Sequence, residues 1–214
     1  MIPMNRPIVF VVDDDASVRT AIQGMLKSVG LCAETFGTPK QFLESKRLDG
    51  PSCLVLDVRL PGISGLDLQR ELAKAGIQIP IIFITGYGDI PMSVGAMKSG
   101  AVEFLAKPFR NQDLLDAIHE ALERDRLARE HQNELDELRK RYELLSVRER
   151  QVMALVISGK MNKEIAYELG TSQVTVKIQR RQVMRKMKAA SVAELVGMAA
   201  KLGMGPARVN SAQF

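Results

Sequence analysis

Leu54-Val55-Leu56-Asp57-Val58-Arg59-Leu60-Pro61-Gly62 decides how the rest of the chain is read. The apolar run from Cys53 to Leu56 suits a strand buried on both faces, as strands of parallel sheets are. It delivers one carboxylate, Asp57, to its C-terminal end, and Pro61-Gly62 then turns the chain back. Open parallel sheets bind ligands in the crevice outside the carboxyl ends of their strands. Asp57 is therefore expected at the mouth of a site. The competing reading makes it a residue that merely ends a strand or caps the next helix.

On both sides the same pattern repeats. Ile8–Val12 is a short β-branched run followed at once by Asp13-Asp14-Asp15. Val18, Ile22, Met25, Leu26 and Val29 have helical spacing, ending at Gly30. Cys32–Phe36 reads as a second strand, and Thr38-Pro39 as the N-cap and first turn of a helix through Leu43. Beyond Asp57 come a helix from about Gly65 to Lys74 and a strand Pro80–Ile84 ending at Thr85-Gly86. A helix over about Pro91–Ser99, a strand Val102–Leu105 ending at Lys107-Pro108, and a helix from near Asn111 complete the series. Strands alternating with helices predict an α/β fold: a doubly wound, five-stranded parallel sheet.

All the polar residues that directly follow these strands should meet on one rim. They are Asp13 and Asp14, Asp57, Thr85 and Lys107. Three carboxylates so close repel one another, and a hard divalent cation with oxygen ligands relieves this. Mg²⁺, with one or two carboxylates, waters and a phosphate oxygen, fits that description. Lys107 supplies a point charge and Thr85 a hydroxyl donor. An aspartate facing metal, lysine and hydroxyl is equipped to attack a phosphoryl group and hold it as an acyl phosphate.

The net charge of +5 is unevenly spread. Residues 1–143 hold 18 Lys/Arg against 21 Asp/Glu, and residues 144–214 hold 12 against 4. An acidic part followed by a basic one suggests two domains with different partners, the second a polyanion. Cys32 and Cys53 form no CxxC and read as small buried hydrophobes of a reducing compartment. No apolar run approaches the roughly 20 residues that span a bilayer, and no signal-peptide layout opens the chain, so no membrane partner is expected and the cytoplasm is.

The stretch from Leu114 to Leu145 is almost unbroken helix-former. Leu135, Leu138, Tyr142 and Leu145 form a heptad-like seam, which suits a helix pairing with itself or with a neighbouring domain in a dimer; a plain exposed linker is the alternative. His119 and His131 have no partners at ligand spacing and are expected on the surface. Ser146-Val-Arg-Glu149 then reads as a capping box. Asn162–Leu169 is a short helix stopped by Gly170, and Thr171-Ser172 caps a longer one, roughly Gln173 to Lys188. Two helices joined by a tight Gly-containing turn are the helix-turn-helix pattern, whose second helix enters the DNA major groove. Residues 177–188 hold six Lys/Arg and no acid, with Val176, Val183 and Met187 left to face the core.

VVDDD, LVLDVRLPGISG, FITGYGD and FLAKPF, taken in order, resemble the receiver domain of two-component response regulators. The resemblance implies the 2-1-3-4-5 strand order, with Asp57 accepting phosphate from a sensor histidine kinase. It implies Mg²⁺ held by Asp14 and Asp57, by Asp13 through water, and by the backbone carbonyl of Arg59. Thr85 and Lys107 would respond to the phosphoryl group, Phe104 would be the switch aromatic, and Lys107–Pro108 would be cis. Asp15 is given no ligand role. Haloacid-dehalogenase-like phosphatases also use a strand-end aspartate, but with a second aspartate two residues on, where Arg59 stands here. A turnover enzyme is therefore not expected, beyond the receiver's own phosphoryl transfer and hydrolysis.

LSVRERQVM, GKMNKEIAYELG, SQVTVK and VMRKMKAASVAELV are similar to the C-terminal domain of the LuxR/FixJ type, and the whole chain resembles the FixJ/NarL response regulators. The domains expected are a receiver over 1–123, a helical linker over 124–143, a LuxR-type helix-turn-helix domain over 144–203 and a flexible tail over 204–214. By resemblance, Lys177, Ile178 and Arg181 fall at base-proximal positions, and Lys163, Thr175 and Arg180 at phosphate contacts. Gln179 stands where the family usually has histidine, and could read adenine or bond a phosphate. The helix from Ser191 to Leu202 corresponds to the family's dimer helix. The implied function is phosphorylation-dependent transcriptional regulation through a homodimer on a double-stranded operator, with RNA polymerase a further candidate partner. A receiver that works without phosphorylation is the alternative; the complete Asp, Thr and Lys set argues against it.

Overall fold

The computed structural model describes residues 6–45, 50–86, 95–97 and 100–205. They fall into two compact units, Met1–Arg129 and Glu130–Phe214. The first contains β1 (Ile8–Val12), α1 (Ala16–Ser28), β2 (Cys32–Phe36), α2 (Pro39–Glu44), β3 (Ser52–Asp57), α3 (Gly65–Lys74), β4 (Ile81–Thr85) and β5 (Glu103–Ala106). The five strands are parallel in the order β2-β1-β3-β4-β5. The helix expected over 91–99 lies largely outside the described residues; 95–97 are helical, and Ala96 is in the core.

Alternation along the strands builds two cores. Phe10, Val12, Leu54, Leu56 and Phe83 pack with Phe42 of α2 and with Leu68 and Leu72 of α3. Val9, Val11, Val55, Ile82 and Ile84 point to the other face, against Ile22 and Leu26 of α1 and residues 114–122 of the next helix, α4 (Asn111–Glu143). Each buried Val, Leu, Ile or Phe contributes about 1.5–3 kcal/mol relative to exposure. The helices begin where side chains can satisfy free N–H groups: Asp15 accepts from Ser17 N, Thr38 from Gln41 N and Ser64 from Asp67 N. Such a cap stabilises by ~1 kcal/mol. Because Ser64 caps α3, Asp57 does not, and the helix-cap reading of Asp57 falls.

α4 is continuous for 33 residues, so the expected boundary at 123 falls inside one helix. Its Asp125 is buried, accepts the Ser52 N–H at 2.8 Å and pairs with Arg129 Nε at 2.6 Å. That satisfies the carboxylate, whose burial would otherwise be costly.

The second unit contains the end of α4, then α5 (Val147–Ile157), α6 (Asn162–Glu168), α7 (Gln173–Met187) and α8 (Val192–Lys201). Its core joins Val152, Met153 and Val156, Ile165, Val176, Val183 and Met187, and Leu195 and Ala199. Leu138 and Leu145 are buried here, and Tyr142 packs against the core with the Arg150 guanidinium 5.1 Å from its ring centroid. The end of the seam thus packs within the second unit. Lys201 of α8 pairs with Glu134 of α4 at 2.5 Å. Of the expected tail, residues 206–214 lie outside the described residues.

Candidate functional site

The C-terminal ends of β1, β3, β4 and β5 bring the anticipated polar residues together. Asp13, Asp14 and Asp57 each offer a carboxylate oxygen within 4.8 Å of the others, the one such acidic group among the described residues. The Lys107 ammonium sits between two of them, 2.6 Å from Asp13 Oδ2 and 3.1 Å from Asp57 Oδ2. Asp13 is fully buried and Asp57 nearly so, while Asp14 is exposed. Thr85 is buried at the end of β4, and its carbonyl accepts the Lys107 N–H at 2.7 Å. The Lys107–Pro108 bond is cis. Phe104, half-buried on β5, lies 6.3 Å from the Phe83 ring, and the Arg59 N–H donates to Asp57 Oδ1 at 3.2 Å.

Burial pushes the Asp13 carboxyl up, a shift that the hydrogen bond from Lys107 partly offsets and the Asp57 charge reinforces. Burial alone would pull Lys107 down, but the hydrogen bonds and charges of Asp13 and Asp57 outweigh it and hold the ammonium above its ordinary range. Lys107 is thus held as a fixed cation. Three carboxylates against one ammonium leave this rim two negative charges in excess, with hard oxygen donors facing one another. Those donors fit a small divalent cation.

Two supports of this rim were not anticipated. Arg19 of α1 donates to the carbonyls of Asp13 and Asp14 at 2.7 and 2.9 Å, pinning the acidic turn. Gly65 lies so close to the end of β3 that a Cβ there would collide with the Asp57 carbonyl. Arg19 stands out little in a charged helix, whereas Gly65 lies inside the quoted Gly-Ile-Ser-Gly stretch and was readable as a close approach.

In the second unit, Gly170, with φ of 60°, turns the chain from α6 into α7, which Ser172 caps through Thr175 N. Lys177, Ile178 and Arg181 of α7 and Lys163 of α6 are exposed. Thr175 and Arg180 are half-buried and already engaged. The Thr175 hydroxyl is 2.9 Å from that of Ser172, and Arg180 donates to Asn162 Oδ1 at 3.0 Å. The side-chain carbonyl of Gln179 is buried with no partner. Bidentate reading of adenine needs that oxygen as well as the amide N–H, so Gln179 does not present it in this rotamer. His119 and His131 are exposed, and Cys53 is a buried thiol pushed up by desolvation.

The capping box at Ser146 is complete and carries an extra cation. Glu149 accepts the Ser146 N–H at 2.7 Å and the Lys186 ammonium at 2.6 Å, while Lys186 also donates to the Leu144 carbonyl. The Lys186 hydrogen bond, together with that N–H, holds the Glu149 carboxyl below its ordinary 4.5. A depressed folded-state value means stability that is present above pH ~4.5 and lost as pH falls through the folded value. Thermal unfolding followed by circular dichroism is expected to show Glu149→Gln less stable than wild type at neutral pH. That gap should narrow below pH ~4.5; one constant down to pH ~3 would contradict the assignment.

Comparison with known proteins agrees with both units. Residues 9–119 match the response regulator receiver domain, and residues 143–199 match the bacterial regulatory proteins of the luxR family. Nodulation protein W of Bradyrhizobium diazoefficiens is 56% identical over 93% of this chain and 88% of its own. The transcriptional regulatory protein FixJ of Azorhizobium caulinodans is 43% identical over 93% and 94%. Among solved structures, response regulator StyR matches with a TM-score of 0.84 and 48% identity over 92% of this chain and 99% of its own. No helix among the described residues is long and apolar enough to cross a membrane. With an acidic strand-end rim in one unit, a capped helix-turn-helix in the other and relatives matching both, the chain belongs to the two-component response regulators of the FixJ/NarL kind, and it is a phosphorylation-dependent, DNA-binding regulator of transcription.

Proposed function

We propose that Asp57 is the phosphoacceptor and that its modification drives pairing of this regulator on DNA. The observation that carries the reading is the clustering of Asp13, Asp14 and Asp57 at strand ends, with the Lys107 ammonium between Asp13 and Asp57. An Asp57 carboxylate oxygen attacks the phosphorus of a phosphohistidine on the partner sensor kinase. The new P–O bond forms as the P–N bond breaks, and the imidazole leaves to take up a proton from water. Asp13, Asp14, Asp57 and the Arg59 carbonyl would hold Mg²⁺, which neutralises carboxylate charge and steadies the phosphoryl oxygens. Lys107 offers a fixed cation to the arriving phosphoryl group, and the Thr85 hydroxyl a donor. Phe104 would follow Thr85, so that the β4–β5 side of the sheet rearranges. Hydrolysis of the acyl phosphate in the same rim would reset the chain.

Pairing two receivers raises the effective concentration of two DNA-binding domains on an operator with two half-sites. Lys177, Ile178 and Arg181 are then the base-proximal side chains, with Lys163, Thr175 and Arg180 toward phosphates; for the last two this requires sharing donors already in use. The domains divide as a receiver over 1–123, a helical connector over 124–143 and a DNA-binding domain over 144–203. The cytoplasm, where kinase and DNA are both reached, is the expected location, with RNA polymerase a further partner. A gel shift on upstream DNA, with acetyl phosphate as donor, tests the reading. Binding should tighten with donor plus Mg²⁺ and not with donor plus chelator, and it should fall by orders of magnitude from ~50 to ~200 mM salt. Donor-independent affinity would sink the phosphorylation half, and salt-indifferent affinity the basic helix.

A further inference from the structure

α7 has an inward stripe and an outward one. Val176, Val183 and Met187 are buried, whereas Val174, Lys177, Ile178, Arg181 and Arg185 are exposed. At about 100° per residue, Val174 sits in the middle of the outward stripe, opposite Val176 and Val183. Its neighbour one turn on is Ile178, with Lys177 beside them and Arg181 and Arg185 farther along the same face. Val174 is 69% and Ile178 58% exposed. A single exposed apolar side chain calls for no explanation. Two that stand one turn apart among exposed cations are different, because the solvated alternative would place polar residues there.

Val174 also lies in the first turn of the helix, directly behind the Ser172 cap. The N-terminal residues of a helix that enters the major groove are the ones that meet base edges. Valine carries no hydrogen-bonding side-chain group. Of the four bases, only thymine offers it a matching surface in that groove, the C5 methyl.

We propose that Val174 is a specificity-determining residue that packs against a thymine methyl in each operator half-site, beside the contacts made by Lys177 and Arg181. This rests on α7 being the helix that enters the groove. The cations around Val174 supply sequence-independent attraction, and Val174 converts part of that attraction into preference for one base.

The full chain, treated with acetyl phosphate and Mg²⁺, is used to select duplexes from a randomised pool. The selected duplex is then resynthesised with deoxyuridine in place of thymidine, one position at a time. At one position wild type should lose about fourfold in affinity, the effect of one buried methyl-sized group. Val174→Ala, which removes the contact from both half-sites, should be weaker by about the square of that factor on the thymine duplex and lose nothing further when the uracil is introduced. The proposal is overturned if Val174→Ala binds as wild type does, if its loss is equal on both duplexes, or if the pool returns no preferred sequence. Arg181→Ala, measured alongside, should weaken binding on either duplex. Should it also bind as wild type does, α7 is not the groove helix, and the reading beneath the proposal falls with it.

Discussion

Asp57→Asn should abolish phosphoryl incorporation from acetyl phosphate, with a chain that unfolds at the wild-type temperature or above. The amide keeps the size and the Oδ1 that accepts the Arg59 N–H, while its Nδ2 replaces the Oδ2 that accepted Lys107 at 3.1 Å, so the ammonium turns wholly to Asp13. What is lost is the nucleophile, since an amide oxygen does not form the acyl phosphate that a carboxylate does. Stability should not suffer, because the substitution removes one of three negative charges packed within 4.8 Å and leaves Lys107 its 2.6 Å partner, Asp13. Mass spectrometry of the intact chain after donor treatment should find the added phosphoryl in wild type only. Equal incorporation in the variant would move the acceptor elsewhere.

Gly65→Ala should be the most damaging single-carbon addition in the first unit. The added Cβ meets backbone on two sides, the Asp57 carbonyl and the Val58 Cα, with the Leu56 side chain at 3.1 Å as well. Strand β3, buried on both faces, has no room to retreat, and the Gly65 N–H bond to the Val58 carbonyl at 2.9 Å ties the two segments together. Overpacking of this kind costs about 1–3 kcal/mol. Any relief must come by displacing the residues that bracket Asp57, so phosphoryl uptake should fall along with stability. Alanine at Gly24, which has nothing within 4 Å of the added carbon, is the control: it lies inside α1 and should be neutral or stabilising. Equal melting temperatures for the two variants would refute the close approach.

The sheet and its rim were legible because the sequence states them locally. Each strand is a short apolar run, and each chemical residue follows its strand immediately, so Asp13, Asp57, Thr85 and Lys107 could be placed on one edge from the order of residues alone. The caps were legible for the same reason: Ser146 and Glu149 are three residues apart. The strand order was supplied by resemblance, since alternation does not say which strands are neighbours. What escaped was non-local. Asp125 meets Ser52 across 73 positions of sequence, and in a helix dense with charge nothing marks it as the buried one. The seam of Leu138, Tyr142 and Leu145 was visible as a stripe, but a stripe does not name its partner, and here it is the chain's own second unit. Arg180, matched to a phosphate contact by resemblance, also meets Asn162, an acceptor that spacing does not foresee.

Asp125 has a further consequence for how the first unit can respond. β3 lies between β1 and β4, covered above and below, with its opening amide latched to a carboxylate on α4. A strand so anchored cannot recoil when its tip is modified. Compliance is expected at the margins of the sheet, where β2 and β5 are each paired on one side only and nowhere fully covered. The acceptor strand is thus the tethered middle of the sheet, and any give is expected at its two margins.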